Sequence, residues 1–256
     1  MTTEAPLLSA QGISKAFAGL LALSKVSLDV RAGEIVGLIG PNGAGKTTCF
    51  NTLTGFLVPT EGRIFFQGKD ITGQPPAAIT RLGMARTFQN IRVFSALTVR
   101  ENVVAAAQLH RRAGLLPTLL NLPTFRAAEA EIQAEADRLL ELLDLSEFAD
   151  RPAGGLPYGH QRRLEIARAL ATRPRLLLLD EPAAGMNPSE SDALHALILK
   201  LRDLFGVGIV LVEHDMRLIM NLCERIVVLN YGQMIAAGSP ADVRADPKVV
   251  EAYLGH

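Results

Sequence analysis

Cysteine is scarce in this chain, and neither sign of charge prevails. The two cysteines among 256 residues, Cys49 and Cys223, lie far apart and lack the spacing of a metal site. They read as reduced, buried thiols of an intracellular protein. Lys plus Arg number 26 and Asp plus Glu also 26, so the formal net charge is zero. A nucleic-acid protein would more often show a basic excess or a basic tail. Long apolar runs are missing too: no uncharged stretch reaches the ~20 residues of a spanning helix. The start, MTTEAPLLSAQG, has no basic region followed by an apolar one, so no signal peptide is expected. A chain of this kind is expected to be soluble on its own, with any membrane role supplied by a partner. Low-complexity and highly charged stretches are also absent, which argues against disorder.

What is present is 48% apolar residues, and a length that buries a large core. The first third reads as strands. LLSAQGISKAF and KVSLDV alternate or cluster apolar residues at strand length, and EIVGLIG is a buried strand entering a glycine-rich loop. A helix is expected from about Lys46 to Thr54, ending at Gly55. RIFFQGKDI is a further strand with a turn at Gly68. From about Asn90 the period becomes helical, over Val99 to Leu109 and Arg126 to Leu145. In the second helix Ile132, Ala136, Leu139, Leu140 and Leu143 share one face. Strand and helix then alternate: strand 175–180, helix 189–205, strand 207–213, helix 216–222, strand 225–229. Such alternation implies a mostly parallel sheet covered on both faces. The tail from Ala241 to Leu254 reads as short helices broken by Pro247. The segment Ala113 to Phe125 is apolar and uncharged, with Pro117 and Pro123. It reads as a loop folded onto the helical insertion, or as a contact surface for a membrane-embedded partner.

Several motifs carry chemistry. Gly40, Pro41, Asn42, Gly43, Ala44, Gly45, Lys46 and Thr47, followed by Thr48, fit G-x-x-x-x-G-K-[ST]. The glycines let backbone N–H groups curl around phosphate oxygens, and the following helix points its positive end at the same anion. Lys46 would neutralise phosphate, and the Thr47 hydroxyl would bind Mg²⁺. Leu176 to Leu179 form a buried strand ending in Asp180 and Glu181. At the carboxyl edge of a parallel sheet, one carboxylate can hold Mg²⁺ and the next can polarise the attacking water. Gln89 follows the strand-like ARTF, where an amide could touch the metal or that water; alone, it would read as a surface glutamine. His214 ends the strand IVLVEHD, and a lone strand-end histidine is usually structural. Gly159 begins a second helix whose first N–H groups offer another anion site. On that helix Arg162, Arg163 and Glu165 read as solvated or interface charges. Phe17 is the candidate to stack on a purine, against the plainer reading of a core phenylalanine. His110, His195 and His256 carry no partner pattern.

This combination resembles the ATP-binding subunit of an ABC transporter across essentially the whole chain. The order matches: Phe17, the phosphate loop 40–48, Gln89 as the Q-loop residue, the signature at 156–161, Asp180-Glu181, the D-loop Ala184 to Asn187, and His214 as the switch histidine. The resemblance implies an α/β P-loop NTPase with a RecA-like parallel-sheet core. It adds an N-terminal antiparallel β subdomain and an inserted helical subdomain. One ATPase domain would span 1–256: the β subdomain and phosphate loop in 1–89, the helical subdomain in 90–165, and the rest of the core in 166–256. ATP and Mg²⁺ are the implied cofactors. Catalysis would fall to Glu181, His214, Lys46 and Gln89, and the metal to Thr47, Gln89 and Asp180. Pro157, Tyr158, Gly159 and His160 would face the ATP of a partner subunit in a head-to-tail dimer.

The family's usual LSGGQ is here Leu156 to His160, LPYGH, and Asn187 stands where the D-loop usually has Asp. With QRRLEIAR, DEPAAGMNP, VEHDM and EAYLG, the chain looks like the G-type ATPase subunit of branched-chain amino acid importers. Such systems imply a second, paralogous ATPase subunit (a homodimer being the other option), two permeases and an extracytoplasmic binding protein. The subunit would sit at the cytoplasmic face of the inner membrane. The rivals are an ATPase of lipopolysaccharide export, a nucleotide-gated clamp in DNA repair or translation, and a silent binding module. The clamp would need a coiled-coil insertion or tandem units, and Glu181 with His214 argues against the silent module.

Overall fold

Strands that are buried at every position and almost wholly apolar form the centre of the chain, because a sheet covered on both faces leaves little room for polar residues. The computed structural model describes residues 5–110 and 123–254. Residues 113–122 of the apolar segment singled out above lie outside the described residues.

In chain order the elements begin with the hairpin β1 (Leu8–Phe17) and β2 (Leu20–Val30), then the buried β3 (Ile35–Ile39) and α1 (Lys46–Leu53). A second hairpin, β4 (Glu61–Phe66) and β5 (Lys69–Asp70), turns at Gly68 as expected. Next come α2 (Pro76–Arg81), β6 (Met84–Arg86), α3 (Val99–Ala107), α4 (Pro123–Leu142) and α5 (Tyr158–Ala171). The last part is β7 (Leu176–Asp180), α6 (Pro188–Phe205), β8 (Gly208–Val212), α7 (Met216–Leu222), β9 (Arg225–Asn230), β10 (Gln233–Gly238), α8 (Pro240–Ala245) and α9 (Pro247–Leu254).

The hairpins make an antiparallel sheet of order β2-β1-β4-β5, and the other strands make a sheet of order β10-β9-β3-β8-β7-β6. From β9 to β6 the pairings of the larger sheet are parallel. Side chains alternate between its two faces. Ile35, Ile39, Leu177, Leu179, Ile209 and Leu211 enter a core shared with α3 to α6. Val36, Leu38, Leu176, Leu178, Val210 and Val212 enter a second core shared with the small sheet and α1. The expected face of α4 is buried at Ala136, Leu139 and Leu140, and Leu143 just beyond its end is buried too.

Three elements depart from the sequence reading. β10 extends the large sheet antiparallel to β9; its QMIAAG is half-exposed and weakly alternating, so it carries little strand signal. α2 is six residues long, too short for periodicity to reveal. α4 starts and stops three residues earlier than expected, and Asp144 beyond it takes a φ of 56°, which a helix cannot continue through. For the site, the parallel strands matter most. β3, β6, β7 and β8 all end on one edge, and all four candidate motifs follow those ends.

Candidate active site

The turn after β3 is built from backbone. Gly40 has φ 151°, and a Cβ there would lie 2.1 Å from the Leu229 carbonyl oxygen. Gly45 has φ 102°, with the Ala22 carbonyl oxygen 2.8 Å from a Cβ. Only glycine fits either position. Gly45 caps α1 without a side-chain bond, so the helix presents its first N–H groups to the loop. Lys46 is 7% exposed, and its Nζ donates to the carbonyls of Gly40 (2.7 Å) and Pro41 (2.9 Å). An ammonium has three donors, so one remains for a ligand. Burial lowers the Lys46 pKa, while Glu181 and Asp180 raise it in part. The loop thus combines curled N–H groups, a helix N-terminus and an ammonium, the donor set of a phosphate site.

Glu181 follows β7 with φ 47°, a strained region for a residue with a Cβ. Its N–H donates to the Val212 carbonyl at 2.9 Å, tying the ends of β7 and β8. Its carboxylate meets both flanking candidates. Gln89 Nε2 donates to Oε2 at 3.0 Å, and His214 Nε2 lies 2.7 Å from Oε1. With a carboxylate as partner, Nε2 is the nitrogen that carries the proton. Asn42 to Thr48, Gln89, Glu181 and His214 line one cleft of about 550 Å³. The structure therefore joins four motifs that lie up to 172 positions apart.

Other expected site residues stand outside that cleft. Asp180 lies behind it, 4% exposed, with Oδ2 accepting from Arg86 Nη2 at 2.7 Å. Arg86 also reaches Asn51 at 2.6 Å and Thr54 at 3.2 Å. Phe17 is 42% exposed rather than in the core; it pairs with Leu20, and Leu20 and Leu21 line the cleft. Pro41 lines a neighbouring cleft of about 440 Å³ against α9. The signature residues start α5: Pro157 is its N-cap, and a Cβ on Gly185 would lie 3.4 Å from the Tyr158 ring. His160 packs on Phe148 with ring centroids 4.6 Å apart.

Sequence reasoning missed five charged residues. Arg162 and Glu165, read as solvated, are 0% and 5% exposed. They pair at 2.7 Å and bond the backbone after β6, which relieves the cost of burial. Burial still holds the Glu165 carboxyl above its ordinary value. Arg163 is half-buried and pairs with Asp144. Glu213 is 6% exposed and accepts from the N–H groups of Ala183 (2.8 Å) and His214 (3.2 Å), pinning the turns after β7 and β8 together. Arg86 completes the set. One signal was visible: Arg162 and Glu165 stand three apart, so they meet on one helical face.

A family profile described as ABC transporter matches residues 23–184. The chain belongs to the ABC transporter family. As a cassette of that family it is an ATPase, with the P-loop NTPase fold. A second profile, described as branched-chain amino acid ATP-binding cassette transporter, matches residues 233–256. The cassette is 50% identical over 250 residues to BraF of Pseudomonas aeruginosa, a high-affinity branched-chain amino acid transport ATP-binding protein, covering 98% of each chain. It is 38% identical over 249 residues to the lipopolysaccharide export ATP-binding protein LptB of Acidithiobacillus ferridurans, covering 97% of each. A crystal structure of an ABC transporter cassette in its ADP conformation is 35% identical, with a TM-score of 0.84, covering 99% of this cassette and 100% of that chain.

Proposed function

We propose that this cassette hydrolyses ATP to drive the uptake of branched-chain amino acids by an ABC importer. The observation that carries the reaction is the meeting, in one cleft, of the phosphate loop with Gln89, Glu181 and His214. The loop N–H groups and Lys46 would bind the phosphates. Bound ATP supplies a γ-phosphoryl group that is transferred to water. Glu181 is the base for that water: its two oxygens are oriented by Gln89 and His214, and its strained backbone keeps it at the cleft. Mg²⁺ is ordinarily held by one or two protein oxygens plus phosphate. Thr47 at the start of α1 and the Asp180 oxygen not taken by Arg86 fit that need, and Gln89 is a third candidate.

The signature turn at Pro157 to His160 would meet the nucleotide of a second ATPase subunit, closing a dimer. A groove of about 640 Å³ near Gln89 supports a permease seat. Arg86 and Arg92 stack on Phe88 there, and Arg168 stacks on Phe94. Phe94 is 51% exposed, so an apolar helix of a permease would cover it. Among the described residues no helix is long and apolar enough to cross a membrane, which fits attachment through such partners at the cytoplasmic face. The extracytoplasmic binding protein would deliver the cargo to the permeases. The branched-chain cargo rests on the matched C-terminal profile and on the higher identity to BraF than to LptB.

Glu181→Gln keeps the shape of the side chain and removes the base. ATP affinity should stay within about threefold, while turnover of the assembled importer falls by about 10²–10⁴-fold. Turnover equal to wild type would refute the role of Glu181. Leucine, isoleucine or valine should stimulate that turnover; stimulation by lipopolysaccharide alone would favour the export reading.

A further inference from the structure

Three charged side chains on one face of α5 hold the backbone of the loop that follows β6. Arg162, Glu165 and Arg168 recur every third residue, so they line up along the helix. Arg162 Nη1 donates to the Phe88 carbonyl at 2.6 Å, and Nη2 donates to the Gln89 carbonyl at 3.0 Å. Glu165 Oε1 accepts the Phe88 N–H at 3.0 Å. Residue 88 is thereby gripped at both its N–H and its C=O. Arg168 donates to the Arg92 carbonyl at the far end of the loop. The same Arg162 Nη2 lies 3.4 Å from the Tyr158 hydroxyl and 3.5 Å from the Glu181 carbonyl. One guanidinium therefore touches the signature turn, the Gln89 backbone and the Glu181 backbone.

Stability alone does not account for this arrangement. Burying an ion pair costs desolvation, and apolar residues of similar volume are often as stable or more so. Arg162 Nε has no hydrogen-bond partner among the described residues, which adds to the cost. What an apolar pair lacks is a rigid fork that fixes several carbonyls at once. Of the three backbone carbonyls that the fork meets, two belong to the residues whose side chains meet in the cleft, Gln89 and Glu181.

We propose that Arg162 and Glu165 are positioning residues for ATP hydrolysis, locking Gln89 and Glu181 into the register set by the signature helix α5. Gln89 then reaches Glu181 only when α5 carries it there. A movement of the signature turn, which meets the partner's nucleotide, is passed to the water-activating group of the same subunit. The proposal rests on the ATPase reading above.

The double variant Arg162→Leu/Glu165→Leu separates positioning from packing. The full chain should unfold within a few degrees of wild type. Amide hydrogen exchange around Phe88 to Arg92 should speed up by about tenfold or more, while the central strands stay protected. In the assembled importer kcat should fall by about tenfold to a hundredfold, with the KM for ATP within about twofold. A wild-type kcat, or unchanged exchange in that loop, overturns the proposal. Should the double variant not fold, Arg162→Lys decides it. Lysine keeps the charge but loses the fork, so kcat should still fall at unchanged KM; full rescue by lysine overturns the proposal. If wild type itself shows no ATP turnover, the ATPase reading fails. Hydrogen exchange then decides by itself whether the clamp exists.

Discussion

Lys46 and the two cysteines show how burial sets residue chemistry in opposite ways. Burial lowers the Lys46 pKa, and two carboxylates nearby offset part of that loss, which suits the phosphate-binding role proposed above. Cys49 and Cys223 are buried, and burial pushes each thiol up to about 12, with Glu224 adding to the rise at Cys223. At pH 8 the reactive thiolate would then be present at roughly one part in 10⁴. Iodoacetamide should leave the folded chain unlabelled over a time in which it labels both cysteines of the urea-unfolded chain. Labelling of the folded chain at the unfolded rate would contradict the burial of these thiols. The sequence read both cysteines as buried thiols, and the structure buries both. Arg162 and Glu165 were not, because a charged residue on a helix reads as solvated until its partners, 73 to 77 positions away, are known.

Elements carry their own stop and start signals. α6 opens with a capping box: the Asn187 side chain accepts from the Glu190 N–H at 2.9 Å, and the Glu190 carboxylate accepts from the Asn187 N–H at 3.0 Å. Pro188 takes the first helical position, where no N–H is needed. The asparagine that replaces the family's usual aspartate is therefore an effective cap. Asn187→Ala should cost about 1 kcal/mol, a fall in Tm of about 2–4 °C for a chain of this size. Asn187→Asp should restore the wild-type value, since aspartate caps as well. An unchanged Tm in the alanine variant would show that the cap contributes nothing. Long periodic elements such as α4 and the apolar β7 and β8 were legible for a related reason, since their signal repeats over several residues. α2 and β10 repeat too little to be seen.

Across the whole molecule, stability depends on carboxylates buried between elements. Glu213 joins the turns after β7 and β8, and burial is the main cause that raises its carboxyl above the ordinary value of 4.5. The folded state therefore holds this proton more tightly than the unfolded state does. Stability from this group is fully present below pH 4.5 and is lost as pH rises through the raised folded value. Glu213→Gln does not titrate. Its Tm relative to wild type should thus rise as pH rises above 4.5. Thermal unfolding of both proteins as pH rises checks the sign, and a flat difference would show that Glu213 is not buried as a strained acid.

By itself the sequence determined the glycine-rich turn after β3, the Asp180-Glu181 pair at a strand end and the alternation that makes a parallel sheet. Each depends on covalent neighbours: glycines that permit a turn, a lysine at a helix start, carboxylates at the end of an apolar run. From the resemblance those motifs carried, it also determined the family. Only the tertiary structure decided that Gln89 and His214 meet on one carboxylate, that Asp180 is held by Arg86, and that Arg162 and Glu165 are buried. Desolvation and pairing depend on which segments lie side by side. Strand order and helix packing set that, and no local pattern encodes it.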